Sequence, residues 1–295
     1  MRRLAKILVW IGLLGLLVRY GVLDPRGSWR SGAVLEKMVG ARPDVTWADS
    51  LTAIIPHSMR VPLGLALAQS STTDGEAPCA VEWQTLAGEF WGRESDRWVI
   101  DFLIREQWVE RIYHHPDAHV QPGDVVLDVG AHLGTFTRFA LLHGASKVIA
   151  FEPEPTNVIC FERTFADEIA DGRVELVGAA AWHESGTLQF APPSGQPHTG
   201  MGRVSDAGLM VVPSVTIDSI VEKLGIRRVD FVKMDIVGAE RYALAGASRT
   251  IAEFAPRMVL STSDQPDDPE VLPELANESR PDYHTALRYR HVFVY

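Results

Sequence analysis

The segment from Gly123 onward alternates short apolar runs with amphipathic stretches. VVLDV, KVIAF, VELVGAA, VDFVKMDI and RMVLST read as strands, because each is a brief, nearly continuous apolar run. Between them, Thr135 to His143, PTNVICFERTF and GAERYALAGASRTI carry helical spacing. Apolar strands separated by amphipathic helices predict a doubly wound, mostly parallel α/β sheet with both faces covered. The last stretch, YHTALRYRHVFVY, has no helix between its two β-like halves and predicts a terminal antiparallel hairpin.

Upstream the pattern is less regular. VEWQTLAGEFWGR predicts a hairpin turning near Gly88, and Ser95 is placed to cap a helix running towards Tyr113. Trp98, Phe102, Val109 and Ile112 share one face of that helix and are expected in the core. QSSTTDGEAP, Gln69 to Pro78, reads as a polar linker. Residues 24–80 are otherwise hard to assign, and the regular domain is expected over 81–295.

The first 23 residues form a separate element. Arg2, Arg3 and Lys6 precede the apolar run Ile7 to Val18, and counting on past Arg19 to Leu23 reaches a marginal bilayer span. No small-x-small cleavage pattern follows. Residues 1–23 therefore read as a membrane anchor, with an apolar helix docked on the protein or a mistaken start as the alternatives.

Composition narrows the class. The formal net charge of -10 argues against affinity for nucleic acid backbones. Cys79 and Cys160 are the two cysteines, far apart and without metal-ligand spacing, so two ordinary thiols are expected and no zinc site. His114, His115 and His119 read as a solvated turn rather than a metal site.

The chemistry concentrates at the predicted strand ends, where doubly wound sheets bind ligands. After the first strand comes Asp128-Val-Gly130-Ala131-His132-Leu-Gly134; the second ends in Glu152-Pro153. Glycines there permit positive φ and close backbone approach. Glu152 is placed to accept hydrogen bonds from a ribose diol. The loop lacks the third glycine of a dinucleotide fingerprint, and the preceding acid suits an ammonium better than a pyrophosphate. S-adenosylmethionine fits that pattern better than NAD. A tight turn with no ligand role is the bland reading of the glycines.

The chain from about Val81 onward resembles the FkbM-type methyltransferases through VLDVGAHLGTFT, VIAFEPEP, VTIDSI and VDFVKMDIVGAERYALAGA. GEFWGRESD and REQWVERIY also look like that family. The resemblance implies a class I, Rossmann-like fold, S-adenosylmethionine as donor, and a hydroxyl-bearing small-molecule or glycan acceptor. It implies that Asp128 and Gly130 contact the methionyl end of the donor, with Ala131, His132 and Gly134 continuing the loop. Glu152 would bind the ribose, Pro153 would stiffen its turn, and Ala179 to Ala181, with Ala180 central, would wall the adenine. His132 stands where the family commonly has asparagine, and Val237 where it usually has glutamate. Lys233, Asp235, Gly238, Ala239 and Glu240 keep the pattern.

Asp235 is the expected catalytic group, as a base or as an acceptor-positioning carboxylate; orienting the donor or capping the next helix is the alternative. Glu240 suits the first turn of a helix. His183 and Glu184 are weaker candidates for acceptor contact. The leading expectation is O-methylation of a saccharide or lipid-linked acceptor by a cytoplasmic catalytic domain. An N-methyltransferase and a non-catalytic donor-binding homologue remain open.

Overall fold

The structure is a computed structural model that describes residues 68–71, 78–85, 87–191, 202–205, 207–208 and 210–295. The chain divides into two units, Met1–Leu65 and Ala66–Tyr295, and every described residue lies in the second. The apolar segment 1–23 lies outside the described residues. Among the described residues, no helix is long and apolar enough to cross a membrane.

A three-stranded antiparallel sheet opens the unit: β1 (Ala68–Ser71), β2 (Val81–Thr85) and β3 (Gly88–Gly92). The expected hairpin is β2–β3, in which Trp83 and Phe90 pair across the strands and are both fully buried. Gln69 to Ser71, expected in a linker, instead pair with β2. A single 3-10 turn, Glu94–Asp96, leads into α1 (Arg97–Ile104), and a π-helical turn, Arg105–Val109, follows. Asp96, not Ser95, satisfies the free backbone at this start, accepting from the Arg93 N–H at 2.8 Å.

Of the expected apolar stripe, Ile112 is buried in the core, but the rest is not the core face. Trp98 is 57% exposed and Val109 45%, while Val99, Ile100 and Ile104 are buried. The π turn breaks the 3.6-residue period, so spacing counted through it from Trp98 to Ile112 does not trace one face.

The central domain alternates strands and helices as expected. β4 (Val125–Val129), α2 (Thr135–Leu142), β5 (Lys147–Phe151), α3 (Pro155–Thr164), α4 (Ala166–Ala170) and β6 (Val174–Val177) come first. A small sheet follows, built from β7 (Ala180–Ala181), β8 (Gly186–Ala191), β9 (Arg203–Val204) and β10 (Met210–Val215). Then come α5 (Ile217–Lys223), β11 (Phe231–Met234), α6 (Glu240–Ala245), α7 (Ser248–Phe254), β12 (Arg257–Ser261), α8 (Asp268–Ser279), β13 (Thr285–Arg288) and β14 (His291–Val294).

The seven-stranded sheet has the order β13-β14-β12-β11-β4-β5-β6. Every pairing is parallel except those of β14, which runs against both neighbours. All four residues of β11 are buried, as are the last four of β4, β5 and β12. Two apolar layers cover the faces: Leu127, Ile149 and Met258 belong to one, Val126, Val148 and Val259 to the other. From β4 the chain moves outward through β5 and β6, then returns to add β11 on the other side. That reversal leaves a crevice beyond the carboxyl ends of β4 and β11.

The chain crosses back on itself at one covalent point. Cys79 and Cys160 form a disulfide, Cα–Cα 5.3 Å, across 81 residues. This corrects the expectation of two thiols. The segment before β2 packs on α3, a proximity that spacing along the chain does not encode.

Candidate active site

The crevice is built around the loop after β4. Gly130 has φ +84°, and a β-carbon there would lie 2.2 Å from the backbone oxygen of Asp235. Gly130 and Ala131 donate their N–H groups to the Phe151 carbonyl at 3.0 and 2.9 Å. The loop is thereby pinned between the ends of β5 and β11.

Asp128 occupies a different place from the one expected. Its side chain is fully buried and lines neither cavity of the crevice. Its carboxylate accepts from Lys233 Nζ at 3.1 Å and Thr137 Oγ1 at 2.7 Å. Lys233, across the β4–β11 register from Asp128, also donates to the Gly130 carbonyl at 2.7 Å. Asp128 therefore holds the loop through Lys233, and a direct contact with a ligand's ammonium is not what the geometry offers. Breaking such a buried pair leaves one charge uncompensated.

Gly134 lines neither cavity. It has φ +87°, and a β-carbon would meet Phe165 Cε2 at 2.1 Å. His132 stays at the crevice with φ +52° and donates its backbone N–H to Glu152 Oε2 at 2.8 Å.

Glu152 sits at the tip of β5 as expected. Its Oε1 accepts from the Glu154 N–H at 2.9 Å and from Asn157 Nδ2 at 3.2 Å. Three donors leave carboxylate lone-pair capacity for one more. Burial pushes its pKa up to about 7, against the pull of these hydrogen bonds. Glu154 caps α3 by accepting the Asn157 N–H at 2.8 Å, with Pro155 at the first helical position. That cap fixes where Asn157 meets Glu152.

One cavity is lined by Phe151, Glu152, Pro153, Asn157, Ala179 to Ala181 and, from the small sheet, Phe190 and Val204. The sequence pattern did not reveal that β8 and β9 supply part of this wall. A larger cavity of ≈290 Å³ holds Ala131, Tyr113, Lys233, Ser261, Asp264 and His291, with Trp98, Phe102 and Glu106 of the α1–π segment. Gly130, His132, Asp235 and Val237 line both. Asp235 thus stands at the junction, accepting from Tyr113 OH at 2.7 Å. Burial acts to raise its pKa, but Lys233, His291, Tyr113 and Ser261 outweigh it and hold the carboxyl below its ordinary value. His291 is driven by burial to about 4, hence neutral at pH 7.

Val237 has φ +54°, an outlying conformation for a β-branched residue. Glu240 lines neither cavity. It is buried and accepts from the N–H groups of Ile236 at 2.8 Å and Gly238 at 3.0 Å, so it shapes the loop from inside. His183 and Glu184 are exposed and line neither cavity.

Residues 128–288, more than half of the chain, match the family described as the methyltransferase FkbM domain. This chain belongs to the FkbM methyltransferase family. Among curated relatives, it is 27% identical over 175 residues to the 31-O-demethyl-FK506 methyltransferase FkbM of Streptomyces tacrolimicus, covering 49% of this chain and 67% of that one. It is 28% identical over 184 residues to the hexuronic acid methyltransferase AglP of Haloferax volcanii, covering 62% and 72%. A crystal structure of a methyltransferase FkbM from Methylobacillus flagellatus aligns with TM-score 0.48 and 20% identity over 65% of this chain and 48% of that one. As an FkbM methyltransferase, the chain places its family motifs VLDVGAHLGTFT, VIAFEPEP and VDFVKMDIVGAE around a single crevice.

Proposed function

We propose that this FkbM-family chain is an O-methyltransferase that takes its methyl group from S-adenosylmethionine and delivers it to a hydroxyl of a saccharide or other small-molecule acceptor. The observation that carries the donor assignment is Glu152: a buried strand-tip carboxylate, held by three donors, lining a cavity walled by small alanines. A carboxylate so placed can still accept one hydroxyl of a ribose diol, and Ala179 to Ala181 leave space for a flat base. Pro153, Phe190 and Val204 would enclose the nucleoside. The loop Gly130 to His132 would carry the methionyl portion towards Asp235.

When bound, the donor supplies an electrophilic methyl carbon on a sulfonium. The protein's part is to align the acceptor hydroxyl with that carbon and exclude water. The larger cavity suits a hydroxyl-rich acceptor, because Trp98 and Phe102 stack at 5.4 Å on one side and Ser261, Ser263 and Asp264 offer polar groups on the other. A hexuronic acid acceptor, as named for AglP, falls within this class.

The test is calorimetry of the full chain with S-adenosylmethionine, followed by incubation with methyl-labelled donor, D-glucuronic acid and an extract of the host. Absence of donor binding overturns the reading. Donor binding without any labelled product favours the non-catalytic homologue, and label on nitrogen favours the N-methyltransferase.

A further inference from the structure

The larger cavity contains a carboxylate that the donor assignment does not use. Glu106 lies on the π-helical turn Arg105–Val109 and faces the cavity that contains Asp235. The turn is held in place by its next residue: Gln107 Nε2 donates to Thr135 Oγ1 at 3.1 Å, tying it to the first turn of α2. Glu106 itself is half-buried, and its side chain makes no hydrogen bond or ion pair with a described residue. A half-buried carboxylate that faces a cavity and is given no protein donor stands ready to accept a proton or a hydroxyl from a ligand.

The other groups in the cavity are poorer proton acceptors. Asp235 already accepts from Tyr113 and is held in its ionised form by Lys233 and its neighbours. His291 is neutral but strongly disfavours its charged form. Lys233 is committed to Asp128 and Gly130, and the Tyr113 hydroxyl is driven well above its ordinary pKa by burial. Asp264 is exposed to solvent. His132 stands at the junction with the Glu152 cavity, lining both cavities as Gly130, Asp235 and Val237 do.

We propose that Glu106 is the general base of the transfer, the group that receives the acceptor's hydroxyl proton. The inference rests on the reading of the crevice as an O-methyl transfer site. In the step, the acceptor oxygen forms the new bond to the methyl carbon. The carbon–sulfur bond breaks with its electron pair left on sulfur, which becomes a neutral thioether, and the hydroxyl proton passes to the Glu106 carboxylate. Asp235 is then a positioning residue and not the proton acceptor.

Electrostatics agree with that role. Burial, and then Glu110 just after the turn, push the Glu106 pKa from 4.5 to about 7; Arg290, in the turn between β13 and β14, and Arg105 pull it down, while Asp235 adds to the rise. A base of that strength is ionised in part at neutral pH and still binds a proton well.

Two measurements on the full chain test it. Carbon-13 NMR of the glutamate carboxyls, with the Glu106 signal assigned by its loss in Glu106→Gln, reads protonation with no acceptor present. A midpoint near pH 7 is expected; one at or below pH 5 overturns the proposal. Total label transferred to host-extract acceptors is then followed against pH. Wild-type transfer should rise through about pH 7, and Glu106→Gln should lose that limb and fall by about 10²–10⁴, with donor affinity kept within about twofold. Glu106→Asp should keep part of the rate. Transfer undiminished in Glu106→Gln overturns the base alone, and so does a loss of transfer accompanied by a loss of donor binding, which marks a structural role. A wild type that binds donor and labels nothing overturns both the base and the enzyme reading.

Discussion

The Tyr113 hydroxyl donates a 2.7 Å hydrogen bond to Asp235 Oδ2, joining the segment after the π turn to the end of β11. Tyr113 is buried and packs edge-on against Phe136 at 5.4 Å, so its hydroxyl has little freedom to leave. Tyr113→Phe should cost about 1.5–3 kcal/mol of stability, the worth of a hydrogen bond to a charged group. Because Asp235 has a depressed pKa when folded, it stabilises the fold above its unfolded pKa, and this contribution is lost as pH falls through the folded value. The deficit of Tyr113→Phe in urea denaturation should therefore shrink under acid. Asp235→Asn should lower donor affinity and transfer together, as expected of an orienting group; a fall in rate alone would return Asp235 to the role of base.

Glu152 links donor binding to pH. Its folded pKa of about 7 exceeds the ordinary 4.5, so the free chain binds the extra proton between those values. Its contribution to stability is present below pH 4.5 and is lost as pH rises towards 7. A ribose hydroxyl donates to the ionised form, so donor affinity should run the other way and weaken as pH falls below 7. Calorimetry in two buffers of different ionisation enthalpy should show proton release on binding at pH 6. Glu152→Ala should lose about 1.5–3 kcal/mol of donor affinity; unchanged affinity would sink the ribose assignment.

Three left-handed glycines separate packing from backbone conformation. At Gly172, φ +78°, a β-carbon would meet nothing within 4 Å, so Gly172→Ala should cost only about 1–2 kcal/mol of conformational strain. At Gly134 the same change drives a methyl into Phe165, and about 1–3 kcal/mol of overpacking should add to that strain. Gly130→Ala should destabilise at least as much and should also abolish donor binding, because its methyl displaces the Asp235 backbone. Urea midpoints of the three variants, with donor calorimetry on those that fold, give the comparison.

The disulfide makes a claim about both stability and compartment. Closing a loop of 81 residues restricts the unfolded chain, and Cys160→Ser should cost about 2–4 kcal/mol in chemical denaturation without reductant. Alkylation of acid-quenched host cells should leave Cys79 and Cys160 unlabelled until a reductant is added. Labelling of both without reductant would put the chain in a reducing compartment, as the cytoplasmic expectation requires.

Much of the central sheet was legible in the chain, because parallel strands buried on both faces must be apolar throughout and their covering helices must be amphipathic. The reversed C-terminal pair was legible for a related reason: no helix separates Thr285–Arg288 from His291–Val294, so those strands must turn directly on each other. Gly130, His132 and Glu152 were readable as neighbours at one crevice, since loops at the carboxyl ends of such strands meet there. The direction of each side chain was decided only by tertiary contacts. Asp128 turns inward because Lys233 is its neighbour across two strands that are 105 residues apart. Trp98 faces the cavity while Ile112 is buried in the core, because the π turn between them breaks the helical period that would align them. Cys79 reaches Cys160, and Phe190 reaches the wall of the Glu152 cavity, through folding back of segments whose local patterns do not specify their partners. Hydrophobic periodicity reports which face of an element is buried; the partner that buries it is chosen by long-range packing.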